Sequence, residues 1–81
     1  MNNLETKQRL AEVFALVFGR PIPAEATRKD VPEWDSLKHM QLVFEVEEQF
    51  GLQFSEEEIP RLDSMGRFSE LIEQRNAADL K

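Results

Sequence analysis

Asp35, Ser36 and His39 lie within five consecutive residues in the stretch "VPEWDSLKHM", residues 31–40. A carboxylate, a hydroxyl and an imidazole at that spacing allow three kinds of chemistry. Asp35 or Ser36 can cap a helix by accepting orphan backbone N–H groups. Ser36 can be a nucleophile with His39, three residues on, as its base; that role also needs an orienting acid and an oxyanion hole. No Gly-x-Ser-x-Gly elbow frames this serine, since Trp34 and Lys38 flank it. Ser36 can also be an attachment point, because the amides and dipole at a helix N-terminus favour a phosphate ester there. Local pattern leaves all three open.

The elements that must position Ser36 are readable from periodicity. Leu10, Val13, Phe14, Val17 and Phe18 recur at helical spacing, so a first amphipathic helix is expected over about 4–18. Gly19 supplies its left-handed stop. The segment "GRPIPAEATRKDVPEW" then carries Pro21, Pro23 and Pro32 and no clean period. It reads as a long ordered connection delivering the chain to Asp35-Ser36. A second helix is expected from about Ser36 to Phe50, with Gly51 as its stop. Its apolar residues Leu37, Met40, Leu42, Val43, Phe44, Val46 and Phe50 span more than half the circumference, which predicts a central helix packed on two or more neighbours. Lys38, Gln41, Glu45, Glu48 and Gln49 form the polar strip. "SEEEI" is a capping box built on Ser55 and Glu58, and Pro60 keeps that third helix very short. Asp63 or Ser64 can cap a last helix with Met65, Phe68, Leu71 and Ile72 on one face, ending near Arg75. Residues 76–81 read as a frayed tail. The expected fold is all-α: a four-helix bundle of three longer helices and one short third helix, in a single domain over 1–81.

Composition narrows the function. Eighty-one residues bury only about 60–65% of their unfolded surface, enough for one small core and too little for a walled-off active site. The longest apolar run, Val13 to Phe18, is six residues. Neither a membrane span nor a signal peptide is read, and a cytoplasmic setting is expected. With no cysteine, thiolate catalysis, disulfides and cysteine-bound metal are excluded. A net charge of −6 argues against nucleic acid as a partner. Six glutamates and no Lys or Arg lie between Glu45 and Glu58. They are either a solvated surface or a docking face for basic partners.

"DSLKHMQLVFEVEEQFG" followed by "SEEEI" resembles the acyl carrier proteins, small phosphopantetheine-dependent carriers, and the resemblance covers nearly the whole chain. Asp-Ser-Leu alone is a weak tripeptide. Leu42-Val43, Glu47-Glu48, Phe50-Gly51 and the Ser55 box at matching spacing make it fairly specific. The resemblance implies no catalytic residue, no metal, and 4′-phosphopantetheine esterified to Ser36 from coenzyme A by a phosphopantetheinyl transferase. The arm's thiol would hold an acyl or aminoacyl group as a thioester, which suits a chain with no thiol of its own. Asp35 and Leu37 would be transferase contacts. The second helix, with Lys38, Gln41, Glu45 and Glu48, would meet loading and downstream biosynthetic enzymes. Leu42, Val46, Ile59, Leu62, Phe68 and Ile72 resemble the lining that shelters an acyl chain, although each is also ordinary core. A monomer acting away from membranes and nucleic acid is implied.

The chain departs from the family's patterns in places. Lys38 and Gln41 stand where carriers of fatty-acid synthesis usually have acids, and Glu33-Trp34 replaces the glycines of peptidyl carriers. Trp34 before Asp-Ser looks like the stand-alone carriers of specialised pathways, with a buried loop anchor as its other reading. His39 is read as half-buried or as a phosphate contact, and Glu47, pointing into the apolar sector, has no role from sequence. The competing function is an unmodified acidic helical adaptor that docks basic proteins through the same glutamates.

Overall fold

The computed structural model describes residues 3–79. Three α-helices account for most of them: α1 (Asn3–Phe18), α2 (Ser36–Phe50) and α3 (Met65–Asp79). Two short 3-10 turns, Arg28–Asp30 and Ile59–Arg61, lie in the connections. No strand occurs among the described residues; an isolated antiparallel bridge joins Thr27 to Ser64. The architecture is the expected all-α bundle with the long connection between its first two helices.

Local chemistry sets the helix ends. Gly19 adopts φ 75° and Gly51 φ 66°, the left-handed stops both were expected to be. Leu52 N–H bonds back to Glu47 O at 3.2 Å, and Leu52 packs on the core. At "SEEEI" both bonds of the capping box form, Ser55 N to Glu58 Oε1 at 2.8 Å and Glu58 N to Ser55 Oγ at 3.2 Å. The element that follows is shorter than the expected third helix. After Ile59 N–H bonds Ser55 O, Pro60 has no N–H to continue the ladder, and only a 3-10 turn follows, closed by Leu62 N–H on Ile59 O. Ser64 rather than Asp63 caps α3, accepting from Arg67 N at 3.2 Å. α3 runs past Arg75 to Asp79, since the following Asn-Ala-Ala-Asp contains no breaker. Of the tail expected at 76–81, residues 76–79 have helical backbone and 80–81 lie outside the described residues.

The core is aromatic. Phe14 and Phe68 are fully buried and meet edge-to-face at 5.7 Å. Phe68 continues to Phe54 at 5.8 Å, and Phe14 to Trp34 at 5.6 Å. Leu10, Leu42, Val43, Val46, Leu62 and Ile72 fill the space around this chain of rings. The long connection contributes Ile22, Ala26, Val31 and Trp34 to the same core. Its middle is pinned to the start of α3 by Arg28 N on Asp63 O at 2.7 Å.

A further expectation is corrected in part: α1, not α2, is the helix that packs closely on both other helices, while α2 meets α1, Trp34 of the long connection and Ile59 of the second 3-10 turn. The wide apolar arc of α2 is therefore only partly used: Leu37 and Phe44 remain 69% and 60% exposed. Among the described residues no helix is long and apolar enough to cross a membrane.

The ring contacts make Phe14 the most sensitive core position. Phe14→Ala is expected to cost about 3–5 kcal/mol, against a total stability of only about 4–12 kcal/mol for a chain this size. Urea unfolding followed by circular dichroism measures this; Phe14→Leu is expected to lose less than half as much.

Candidate functional site

Ser36 is the first residue of α2, and Asp35 is its N-cap. Asp35 Oδ1 accepts from Lys38 N at 2.8 Å, and Asp35 O accepts from His39 N at 2.9 Å. The capping question raised by the sequence is thereby resolved in favour of Asp35. Ser36 is exposed, and its hydroxyl makes no hydrogen bond among the described residues. The N–H groups of Ser36 and Leu37 likewise find no partner there, so two orphan donors open toward the space beside that hydroxyl.

The approach to Ser36 is held from several sides. Arg20, just past the end of α1, grips Glu33 with two bonds, Nε to Oε2 at 2.5 Å and Nη2 to Oε1 at 2.9 Å. The guanidinium, together with Glu33's own backbone, pulls the Glu33 carboxyl down to about 2. Trp34 N donates to Val31 O at 3.0 Å, and Trp34 O accepts from Arg28 Nε at 3.3 Å. Trp34 itself is buried, which bears out the loop-anchor reading of this residue.

His39 is not a base for Ser36. Its Nδ1 takes the indole Nε1–H of Trp34 at 3.0 Å and its Nε2 lies 2.8 Å from Ile59 O. Both ring nitrogens are therefore committed, one to a buried partner and one to a partly buried partner, which removes the hydrolytic arrangement. His39 is more deeply buried than the half-buried position expected of it, at 5% exposure.

The remaining candidates fall into two groups. Leu37, Gln41 and Glu48 are exposed on α2, and Glu45 is half-buried, accepting from Gln49 Nε2 at 3.3 Å. Lys38 is drawn away from that strip: its Nζ donates to Val17 O at 3.1 Å. There it satisfies an orphan carbonyl and complements the negative end of α1. Leu42, Val46, Leu62, Phe68 and Ile72 are fully buried in one packed core, with Ile59 partly buried against it.

Sequence reasoning missed three contributions. Phe44 stands on the exposed face of α2 two turns from Leu37, a placement hidden because an apolar residue in an amphipathic pattern reads as core. Glu47 Oε2 accepts from Phe54 N at 2.8 Å, bonding the chain that leaves α2 back onto the helix. Arg75 donates to Gln53 O and to the Glu58 carboxylate and lies 5.8 Å over the Phe54 ring. Glu58 is held below its usual range by the Ser55 backbone N–H first and by Arg75 after it.

With this geometry in place, the comparisons with known proteins can be read. The solution NMR structure of a holo acyl carrier protein from Geobacter metallireducens superposes with a TM-score of 0.79 and 28% sequence identity, covering 93% of this chain and 90% of that one. No family model and no curated protein matches the sequence. Fold and sequence together make this chain acyl-carrier-like. The fold is that of a carrier protein rather than of a catalyst.

Two outcomes follow from the site. Asp35→Ala is expected to destabilise the fold by about 0.5–2 kcal/mol through loss of the cap. Ser36→Ala is expected to change stability by less than about 0.5 kcal/mol, so denaturation midpoints separate the residues. Acid acts through Glu33 and Glu58. Each has a folded value below the ordinary 4.5, so its contribution is present above about pH 4.5 and lost as pH falls through the folded value, about 2 for Glu33. Glu33→Gln should flatten that acid limb modestly, and less in high salt, because the Arg20 pair is exposed.

Proposed function

We propose that Ser36 carries a 4′-phosphopantetheine arm and that the chain presents an acyl or aminoacyl group on it to separate biosynthetic enzymes. The observation that carries this reading is the free, exposed Ser36 hydroxyl at the first position of α2, left available because Asp35 does the capping. The holo state named for the Geobacter structure supports it, as does the carrier fold.

The residues fit such a group. The unpartnered amides of Ser36 and Leu37 and the positive end of α2 would receive its phosphate. Of the carboxylates adjoining Ser36 in sequence, Glu33 is ion-paired with Arg20 and Asp35 is engaged by the backbone N–H of Lys38, so neither side chain takes up the amides of Ser36 and Leu37. When bound, the group supplies the thiol that a chain without cysteine lacks, and with it a thioester for cargo.

Enzymes would recognise the arm's surroundings through α2. Leu37 and Phe44 provide apolar contact, with Gln41, Glu45 and Glu48 around them. Lys38, engaged with Val17 O, would act by fixing α2 against α1 more than by direct contact. A small contact would suit a carrier that must leave one enzyme to reach the next. Leu42, Val46, Ile59, Leu62, Phe68 and Ile72 would line any shelter for the cargo. Entry would require opening an already close-packed core, which favours short groups or groups carried outside. The working unit is a cytoplasmic monomer.

Incubation with coenzyme A, magnesium and a broad-specificity phosphopantetheinyl transferase, followed by intact-mass measurement, is the test. Wild type is expected to gain one phosphopantetheine, and Ser36→Ala none. A wild type that gains no mass with several transferases would overturn the reading in favour of an unmodified acidic adaptor.

A further inference from the structure

We infer that His39 is a positioning residue for Ser36, acting through Trp34 as a neutral imidazole whose single proton sits on Nε2. The inference rests on the attachment reading of Ser36 and adds to it the device that aims the serine.

Bond chemistry dictates the tautomer. An indole nitrogen can only donate, so His39 Nδ1, 3.0 Å from Trp34 Nε1, must be bare and accepting. A backbone carbonyl can only accept, so His39 Nε2, 2.8 Å from Ile59 O, must carry the proton. The other neutral tautomer and the imidazolium each set one N–H against another. Trp34 and His39 are only 4% and 5% exposed and the bond between them is buried, so breaking it is costly.

The placement of the pair explains why this matters at Ser36. Trp34 is the residue before the N-cap and His39 is the fourth residue of α2. Those are the two positions that a hydrophobic staple joins to fix the angle at which a chain enters its helix. Here the staple is polar as well as apolar. The rings stack at 6.0 Å and 28°, and the hydrogen bond sets the register that apolar contact alone would leave free. Trp34 is further held at its N by Val31 O and at its O by Arg28. Asp35 and Ser36 therefore lie inside a closed ring of contacts running Trp34, Asp35, first turn of α2, His39, Trp34. Through Ile59 the same imidazole ties that ring to the second 3-10 turn.

The chain has one tryptophan and one histidine, so each side of the bond has an unambiguous NMR signal. The test compares wild type, His39→Asn, His39→Gln and Trp34→Phe. Asn places an acceptor where Nδ1 stood, and Gln places a donor where Nε2 stood. Nitrogen shifts at neutral pH should show wild-type His39 bare at Nδ1 and protonated at Nε2. Indole N–H exchange should stay slow in His39→Asn and rise about five- to tenfold in His39→Gln. Transferase-catalysed loading of Ser36 should slow by a similar factor in His39→Gln and Trp34→Phe and be largely kept in His39→Asn. Circular dichroism identifies any unfolded variant; the remaining variants and the wild-type tautomer then decide. A proton on Nδ1 at neutral pH, or equal loading of His39→Asn and His39→Gln, would overturn the inference. Failure of wild type to load at all overturns the attachment reading and with it the positioning role, while the tautomer result still decides the bond.

Discussion

The buried indole of Trp34 is the contact on which the arrangement of the long connection depends. Three prolines stiffen that connection but bury little, and a segment of this length pays for its ordering only if something anchors it to the core. Trp34 supplies the anchor with one ring edge-on to Phe14 at 5.6 Å, tilted against Phe18 at 5.6 Å and stacked on His39. Ile22, Ala26 and Val31 follow it into the core. Aromatic contacts of this geometry add to the area they bury, and in an 81-residue chain there is little else to spend on order. The same contact that stabilises the loop decides where the next two residues stand.

Around Ser36 the work is divided so that the hydroxyl has none. Asp35 satisfies the helix amides, Arg20 and Glu33 tie the approach to the end of α1, and Lys38 closes an α1 carbonyl. Each of these residues is polar and close in sequence to the serine, yet each is turned onto backbone or onto another side chain. What faces outward is one unbonded oxygen, two open amides and the apolar side chain of Leu37. A serine that capped its own helix would have to give up that bond to become an ester. With an aspartate in the capping position, modification at Ser36 leaves the fold's hydrogen bonds intact.

The helices and their stops were legible because they are local: glycine after an apolar period, a Ser-x-x-Glu box, an Asp-Ser pair after a proline. The apolar stripe of α1 and the α2 boundaries follow from the same short-range rules. Most of the misreadings are matters of which neighbour a face meets, and that is tertiary. Leu37 and Phe44 belong to an apolar arc that sequence cannot divide into buried and exposed parts. Glu47 looked misplaced until Phe54 N–H appeared opposite its carboxylate. Lys38 reads as surface charge, and only the antiparallel packing of α1 brings Val17 O within its reach. The short third element illustrates a conflict of two local signals. The Ser55 box starts a helix and Pro60 ends it one turn later, so the box survives without the helix it would normally begin.

The exposed apolar pair on α2 is better understood beside the aromatic core than apart from it. A surface Phe and Leu seven residues apart, each more than half exposed, would ordinarily cost a small protein in solubility. Here they flank a helix whose remaining outward residues are glutamine and glutamate, and the whole chain carries −6. Net charge of that sign opposes self-association through such a face. The core gains nothing from Phe44, since Phe14, Phe54, Phe68 and Trp34 already fill it. Two uses of the same residue type thus separate by position: rings that hold the frame still, and one ring left on the exposed face of the helix that Ser36 begins.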